Sequence, residues 1–191
     1  MKVCFVTTGA TAPFTGLIES VLRPASIAAL QEVGITHLLV QHGTAKDVFD
    51  ANSTAARAQS QHEHGKPALE IQGIDFSPNG LKDLFQLAQQ SQGLVISHAG
   101  SGSILEALRY QVPLIVVPNT QLLDNHQEEL AVAMERSNYL IRGNVADLAS
   151  AIRKSEDFRI KMAKFPPSTS GTHRETQSFG AIMDNTLGLL D

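Results

Sequence analysis

Ser97-His98-Ala99-Gly100-Ser101-Gly102-Ser103-Ile104-Leu105-Glu106-Ala107-Leu108 is the stretch on which the reading of this chain turns. An apolar run, Leu94-Val95-Ile96, precedes it, and a second, Val112 to Val117, follows. Its middle is small and glycine-rich, and Ile104, Leu105 and Leu108 then form an apolar stripe at helical spacing. The expectation is a strand, a tight turn and the start of a helix. Such a turn leaves backbone N–H groups unpaired at the positive end of the helix dipole. Glycines let an anion approach those groups closely, and a diphosphate is the usual occupant. A second reading stays open: Ser103-x-x-Glu106 fits a capping box, in which Glu106 only closes the helix start. The dinucleotide fingerprint fails, because Leu105 stands at the third glycine position.

Working outward, Lys2 to Thr8 is an apolar strand of the kind buried on both faces, followed by the small-residue turn Thr7-Thr8-Gly9-Ala10-Thr11. Leu17, Ile18, Val21 and Leu22 have helical spacing; Pro24 breaks or restarts the helix, which runs on to a C-capping Gly34. Thr36 to Gln41 is the second strand and ends at His42-Gly43. Lys46 to Pro67 is polar with little periodicity and is expected to be partly helical and mobile; its His62-Glu63-His64 reads as a solvated loop rather than a metal site. Ala68 to Gly73, Leu94 to Ser97, Leu114 to Val117 and Tyr139 to Ile141 read as strands three to six. Between them stand helices on Leu81, Leu84, Phe85 and Ala88, on the central stretch, and from Asp124 on Leu130, Val132, Ala133 and Met134. Asp124-x-x-Gln127 is a second candidate capping box. Val145 to Lys154 is a helix with Leu148, Ala149 and Ile152 inward. Strands alternating with helices define an α/β, Rossmann-like, mostly parallel sheet with helices on both faces. Thr8-Gly9, Gln41–Gly43, His98–Gly102 and Asn119–Asn125 all fall at the carboxyl ends of strands, where such sheets bind ligands.

The division expected is a Rossmann-like domain over residues 1–164 and, over 165–191, a linker followed by an amphipathic helix. In that helix Phe179, Ile182, Met183, Thr186, Leu187 and Leu190 share one face. It either packs on its own sheet or docks on another subunit. A net charge of −4 disfavours a general nucleic-acid binder. The single cysteine, Cys4, excludes an internal disulfide framework and suits a reducing compartment, with a buried thiol. The first apolar run is too short for a signal peptide, and no run reaches the ~20 residues of a membrane span.

Three segments together carry a family resemblance. Ser97 to Glu106, Val112-Pro113-Leu114-Ile115-Val116-Val117-Pro118-Asn119 and Asp124-Asn125-His126-Gln127-x-x-Leu130-Ala131 resemble the donor-binding half of GT-B glycosyltransferases of the bacterial lipid II N-acetylglucosaminyltransferase type, a family 28-like C-terminal domain. Val6-Thr7-Thr8-Gly9-Ala10-Thr11-x-Pro13-Phe14 narrows the likeness to the catalytic subunits of two-component UDP-N-acetylglucosamine transferases of the dolichol-linked oligosaccharide pathway. The resemblance covers roughly residues 2–152. It implies that His98, Ala99, Gly100 and Ser101, continued by Gly102 and Ser103, hold the diphosphate, and that Glu106 holds the ribose hydroxyls. Asn125, His126 and Gln127 would face the GlcNAc hydroxyls. Thr8, Gly9 and Thr11 would lie near the phosphates or the domain cleft, and the backbone between Phe76 and Leu81 near uracil.

The activity implied is inverting transfer of GlcNAc from UDP-GlcNAc to GlcNAc-diphosphodolichol at the cytosolic face of the endoplasmic reticulum. A membrane-anchored, acceptor-binding subunit would supply the missing half of the enzyme as a heterodimer. No cofactor is expected, and without an Asp-x-Asp motif no metal either. The general base stays open among His98, His126 and the partner. Two rivals stand beside this reading: a non-catalytic nucleotide-sugar-binding regulator and a small Rossmann-type hydrolase.

Overall fold

The computed structural model describes residues 1–9, 13–62, 66–75, 80–119 and 126–164. Six parallel strands, β1 (Val3–Thr7), β2 (His37–Gln41), β3 (Glu70–Ile74), β4 (Leu94–Ser97), β5 (Leu114–Val116) and β6 (Ile141–Arg142), form one sheet in the order β3-β2-β1-β4-β5-β6. The chain winds outward from β1 to β3, returns to the middle, and winds the other way from β4 to β6. The reversal falls between β1 and β4, where the carboxyl ends splay and leave a crevice.

Alternate residues of each strand serve two cores. Cys4, Val6, Leu38, Val40, Leu94, Ile96 and Ile115 pack on α1 (Thr15–Leu22), α2 (Pro24–Glu32), α3 (Lys46–His62), α7 (Leu148–Arg153) and α8 (Ser155–Ala163). Phe5, Val95, Leu114 and Val116 pack on α4 (Lys82–Gln90), α5 (Ser101–Arg109) and α6 (His126–Arg136). Phe5 meets Phe85 of α4 edge-on, with ring centroids 5.6 Å apart. The continuous apolar strands follow from this burial on both faces. Cys4 is fully buried, and desolvation pushes its thiol well above the usual range, so it is packing material rather than a nucleophile.

One outward backbone group on each outer strand is bonded by a side chain. On β3 the Ile71 carbonyl accepts from Arg57 Nε and Nη2 of α3 at 3.3 and 3.0 Å. On β6 the Arg142 amide donates to Glu135 Oε1 of α6 at 3.0 Å. Both bonds occupy backbone groups that would otherwise template another strand.

Two segments differ from their expectations. Lys46 to His62 is one 17-residue helix rather than a partly helical loop. Its buried face is Phe49, Ser53, Ala56 and Ser60, spaced at four, three and four residues. A single aromatic among small residues gives a helical face without an apolar stripe. Residues 155–163, for which no element was expected, form α8. Phe158 and Ser155 seat it; Lys2 Nζ donates to Glu156 Oε1 and to the Val33 carbonyl, both at 2.7 Å, and Arg159 Nη2 donates to the Gly93 carbonyl at 2.6 Å. No helix among the described residues is long and apolar enough to cross a membrane. The segment 165–191, with its expected partner-docking helix, lies outside the described residues.

Candidate functional site

The C-terminal row of the sheet is polar. Gln41 of β2, Thr7 of β1 and Ser97 of β4 are register partners and therefore project from the same face, above Phe5 and Val95. Thr7 Oγ1 donates to Gln41 Oε1 at 2.6 Å, and Thr8 Oγ1 to the Gln41 carbonyl at 3.0 Å. Ser97 Oγ is fully buried with no hydrogen-bond partner among the described residues.

A cavity of about 640 Å³ opens over this row. Thr7, Gly9 and Gln41 form its floor; Gly80, Leu81, Lys82 and Phe85 bring in the start of α4 on one side. His98 and the Gly100–Ser103 turn, with Leu105 and Glu106, bring in the start of α5 on the other. It lies at the topological reversal, as the sheet order requires.

The turn from β4 into α5 is built under strain. Ala99 is buried at φ +70°, a left-handed conformation that costs a side-chain-bearing residue of order 1 kcal/mol or more. Gly100 is the N-cap, and no side chain caps it. The first helical bond of α5 runs from the Ile104 amide to the Gly100 carbonyl at 3.1 Å. The amides of Ser101, Gly102 and Ser103 therefore have no acceptor among the described residues, and they open to the cavity at the positive end of the helix.

The glycines here have different reasons. The His98 ring lies between Gly9 and Gly100, and a Cβ on either would come within 2.5 Å of His98 Nε2. Gly9 also sits at φ +83°. Gly102 is different: a Cβ there meets nothing within 4 Å, and no positive φ is recorded for it. A helix gains stability from alanine over glycine, so protein packing gives no reason for Gly102. The space above it, on the cavity side, does.

His98 is held largely out of water. Its Nδ1 is buried without a partner, and burial pushes the imidazole below the usual histidine range, with the Thr7 backbone hydrogen bond acting in the opposite direction. Glu106 stands one turn beyond the amides. Its Oε2 is buried and unpartnered, and Oε1 is 3.9 Å from Arg109 Nη1, a long contact with an arginine that is 68% exposed. The capping-box reading is overturned: α5 begins at Ser101, so Ser103 is already inside the helix and Glu106 closes nothing. A carboxylate oxygen without a donor in a cavity wall suits a hydroxyl-bearing ligand.

Of the residues expected at the site, Gly9, His98, Gly100, Ser101, Gly102, Ser103 and Glu106 line this cavity. Thr8 is buried behind the floor, and Ala99 supplies the bend without facing the opening. Thr11 and Asn125 lie outside the described residues, as do residues 76–79 and Asp124 with its expected capping box. His126 and Gln127 are the first two residues of α6. Leu105 departs from its expectation. Ile104 and Ala107 face the core, whereas Leu105 is 47% exposed at the cavity mouth. Thr7, Lys82 and Phe85 were not expected at the site, and Gln41 was expected only as part of a turn at the ligand-binding end of its strand. A polar residue closing an apolar strand, as Gln41 does, was the available signal.

The parallel sheet, with its cavity at the reversal of strand order, defines an α/β, Rossmann-like domain. Residues 3–175 match the glycosyltransferase family 28 C-terminal domain, and the chain belongs to that family. Its curated relatives narrow the likeness. The UDP-N-acetylglucosamine transferase subunit ALG13 of Eremothecium gossypii is 38% identical over 182 residues, 87% of each chain. The protein of the same name from Saccharomyces cerevisiae is 32% identical over 191 residues, covering 87% of this chain and 90% of its own. The solution structure of ALG13 superposes with a TM-score of 0.63 at 30% identity, over 82% of this chain and 86% of that one. Acinetobacter baumannii MurG shares the fold, with a TM-score of 0.56 at 15% identity; the match covers 96% of this chain and 48% of MurG. The resemblance read from the three sequence segments is borne out.

Proposed function

We propose that this chain is the donor-binding, catalytic subunit of an N-acetylglucosaminyltransferase that moves GlcNAc from UDP-GlcNAc to GlcNAc-diphosphodolichol. The observation that carries the reading is one wall of the cavity: three amides at the start of α5 and, a turn later, an oxygen of Glu106, all without partners among the described residues. The relatives named UDP-N-acetylglucosamine transferase subunits support the donor.

In this reading the diphosphate lies on the amides of Ser101, Gly102 and Ser103, beside His98 and Gly9. Glu106 accepts from the ribose hydroxyls. Asn125, His126 and Gln127 face the sugar, with Thr8 and Thr11 supporting the phosphate side. The reaction is a direct displacement. The acceptor hydroxyl attacks the anomeric carbon, the bond from that carbon to the UDP oxygen breaks, and configuration inverts. Negative charge grows on the leaving diphosphate, and the preorganised amides stabilise it where it grows. The proton of the attacking hydroxyl goes to a base that we assign to no residue of this chain. The acceptor is held by a membrane-anchored partner subunit at the cytosolic face of the endoplasmic reticulum.

Calorimetry with UDP-GlcNAc, UDP-glucose and NAD tests the donor, and a transfer assay with and without the membrane subunit tests the chemistry. Saturable binding of UDP-GlcNAc in preference to NAD, with transfer only by the pair, is the expected result. Preference for NAD removes the reading. Donor binding without transfer by the pair leaves a nucleotide-sugar-binding regulator.

A further inference from the structure

Gln41 is a polar residue with one end spoken for and the other facing the cavity. Its residue is 3% exposed, and its Oε1 accepts from Thr7 Oγ1 at 2.6 Å. Thr7 Oγ1 in turn accepts, at 3.4 Å, from the Gly9 amide, which leaves the hydroxyl hydrogen for Gln41. With the hydroxyl donating to Oε1, the amide is set with its oxygen toward β1 and its NH2 toward the cavity that Gln41 lines. No acceptor for that NH2 is found among the described residues. The side chain is nearly buried but its NH2 keeps access to the cavity, where a ligand carbonyl can replace water as the acceptor.

The sheet order says which part of a ligand that is. The amides that suit a diphosphate start α5, after β4. The residues expected at the sugar start α6, after β5. Gln41 ends β2, on the opposite side of β1, two strand spacings or about 10 Å from Ser97. A diphosphate laid on α5 with its sugar toward β5 sends its nucleoside toward β2 and β3. On the way, over β1, the cavity wall turns apolar, with Leu81 and Phe85 of the α4 start. A flat base with carbonyl edges fits an apolar wall and an amide donor.

We infer that Gln41 Nε2 donates to a carbonyl oxygen of the uracil base, and that Thr7 is the positioning residue that turns the amide that way. The inference rests on the proposed nucleotide site. It adds a side-chain reader of the base to a site whose expected base contact is the backbone between Phe76 and Leu81.

The test is an NMR titration of the full chain with UDP and, separately, with inorganic pyrophosphate, a format that reads millimolar as well as micromolar binding. Gln41→Ala should weaken UDP about tenfold, the worth of one hydrogen bond to a buried donor, and leave pyrophosphate unchanged. Gln41→Met fills the same volume and should behave alike if Gln41→Ala fails to fold. Thr7→Val should match Gln41→Ala, and Thr7→Ser, which keeps the hydroxyl, should restore binding. Equal loss for UDP and pyrophosphate, or loss for neither, overturns the inference, as does a Thr7→Val chain that binds UDP like its parent. A parent chain that binds neither probe overturns the nucleotide site itself.

Discussion

Glu106 and His98 are the two ionisable side chains whose buried atoms face the cavity without partners, and they make separate predictions. Hydrogen bonds to a charged group are worth about 1.5–3 kcal/mol each, so Glu106→Ala should weaken UDP at least about tenfold. Its Oε2 bonds to nothing among the described residues, and its contact with Arg109 is long and solvent-screened. The urea midpoint should therefore stay within experimental error of the parent; a chain unfolded by the change would mean that Glu106 holds the helix together after all. For His98 the folded imidazole titrates below its unfolded value, so the unfolded chain binds the proton first as pH falls. Stability is fully present above about pH 6.5, the unfolded value, and is lost as pH drops from there through the folded value. Urea unfolding at pH 7.5 and 5.5 should show this loss, and His98→Gln should flatten it. An equal slope in the variant would assign the acid sensitivity elsewhere.

At the scale of elements, α5 trades stability for an open first turn. Replacing Gly102 with alanine removes a glycine from the first turn of α5, worth up to about 0.5–1 kcal/mol, and meets nothing within 4 Å among the described residues. Gly102→Ala should raise the urea-unfolding free energy by that amount and weaken UDP, because the new methyl stands over the amides. A variant that is more stable and binds as tightly would leave the glycine unexplained. Elements also show what could be read beforehand. The strands β1, β2, β4 and β5 were legible because burial on both faces makes them continuously apolar. α3 was not, since Ser53, Ala56 and Ser60 are buried residues that carry no hydrophobic signal. α8 was hidden because Phe158 and a partly buried Met162 anchor its apolar side, while Ile160 is exposed. Leu105 misled for the opposite reason: an apolar residue at core spacing belongs to the cavity mouth. The phosphate-facing half of the site is contiguous in sequence and was readable as a stretch. Thr7, Gln41, Lys82 and Phe85 reach the cavity only through the strand order, which residue spacing does not encode.

Among the described residues a cavity stands at the switch point, on the carboxyl-terminal face of the sheet, and that face carries the functional reading. A single Rossmann-like unit does not enclose two substrates, which is why the proposal includes a partner holding the acceptor. Deleting residues 179–191, the expected docking helix, should abolish co-purification with the membrane-anchored subunit and leave UDP binding intact; unchanged co-purification would move the interface elsewhere. All of this depends on a diphosphate seated on the first turn of α5. The direct measurement is a 15N-resolved titration with UDP-GlcNAc, following the amides of Ser101, Gly102 and Ser103. The account predicts that these three resonances move farthest, downfield and with one common saturating affinity; resonances that stay in place while the protein binds the nucleotide elsewhere would contradict it.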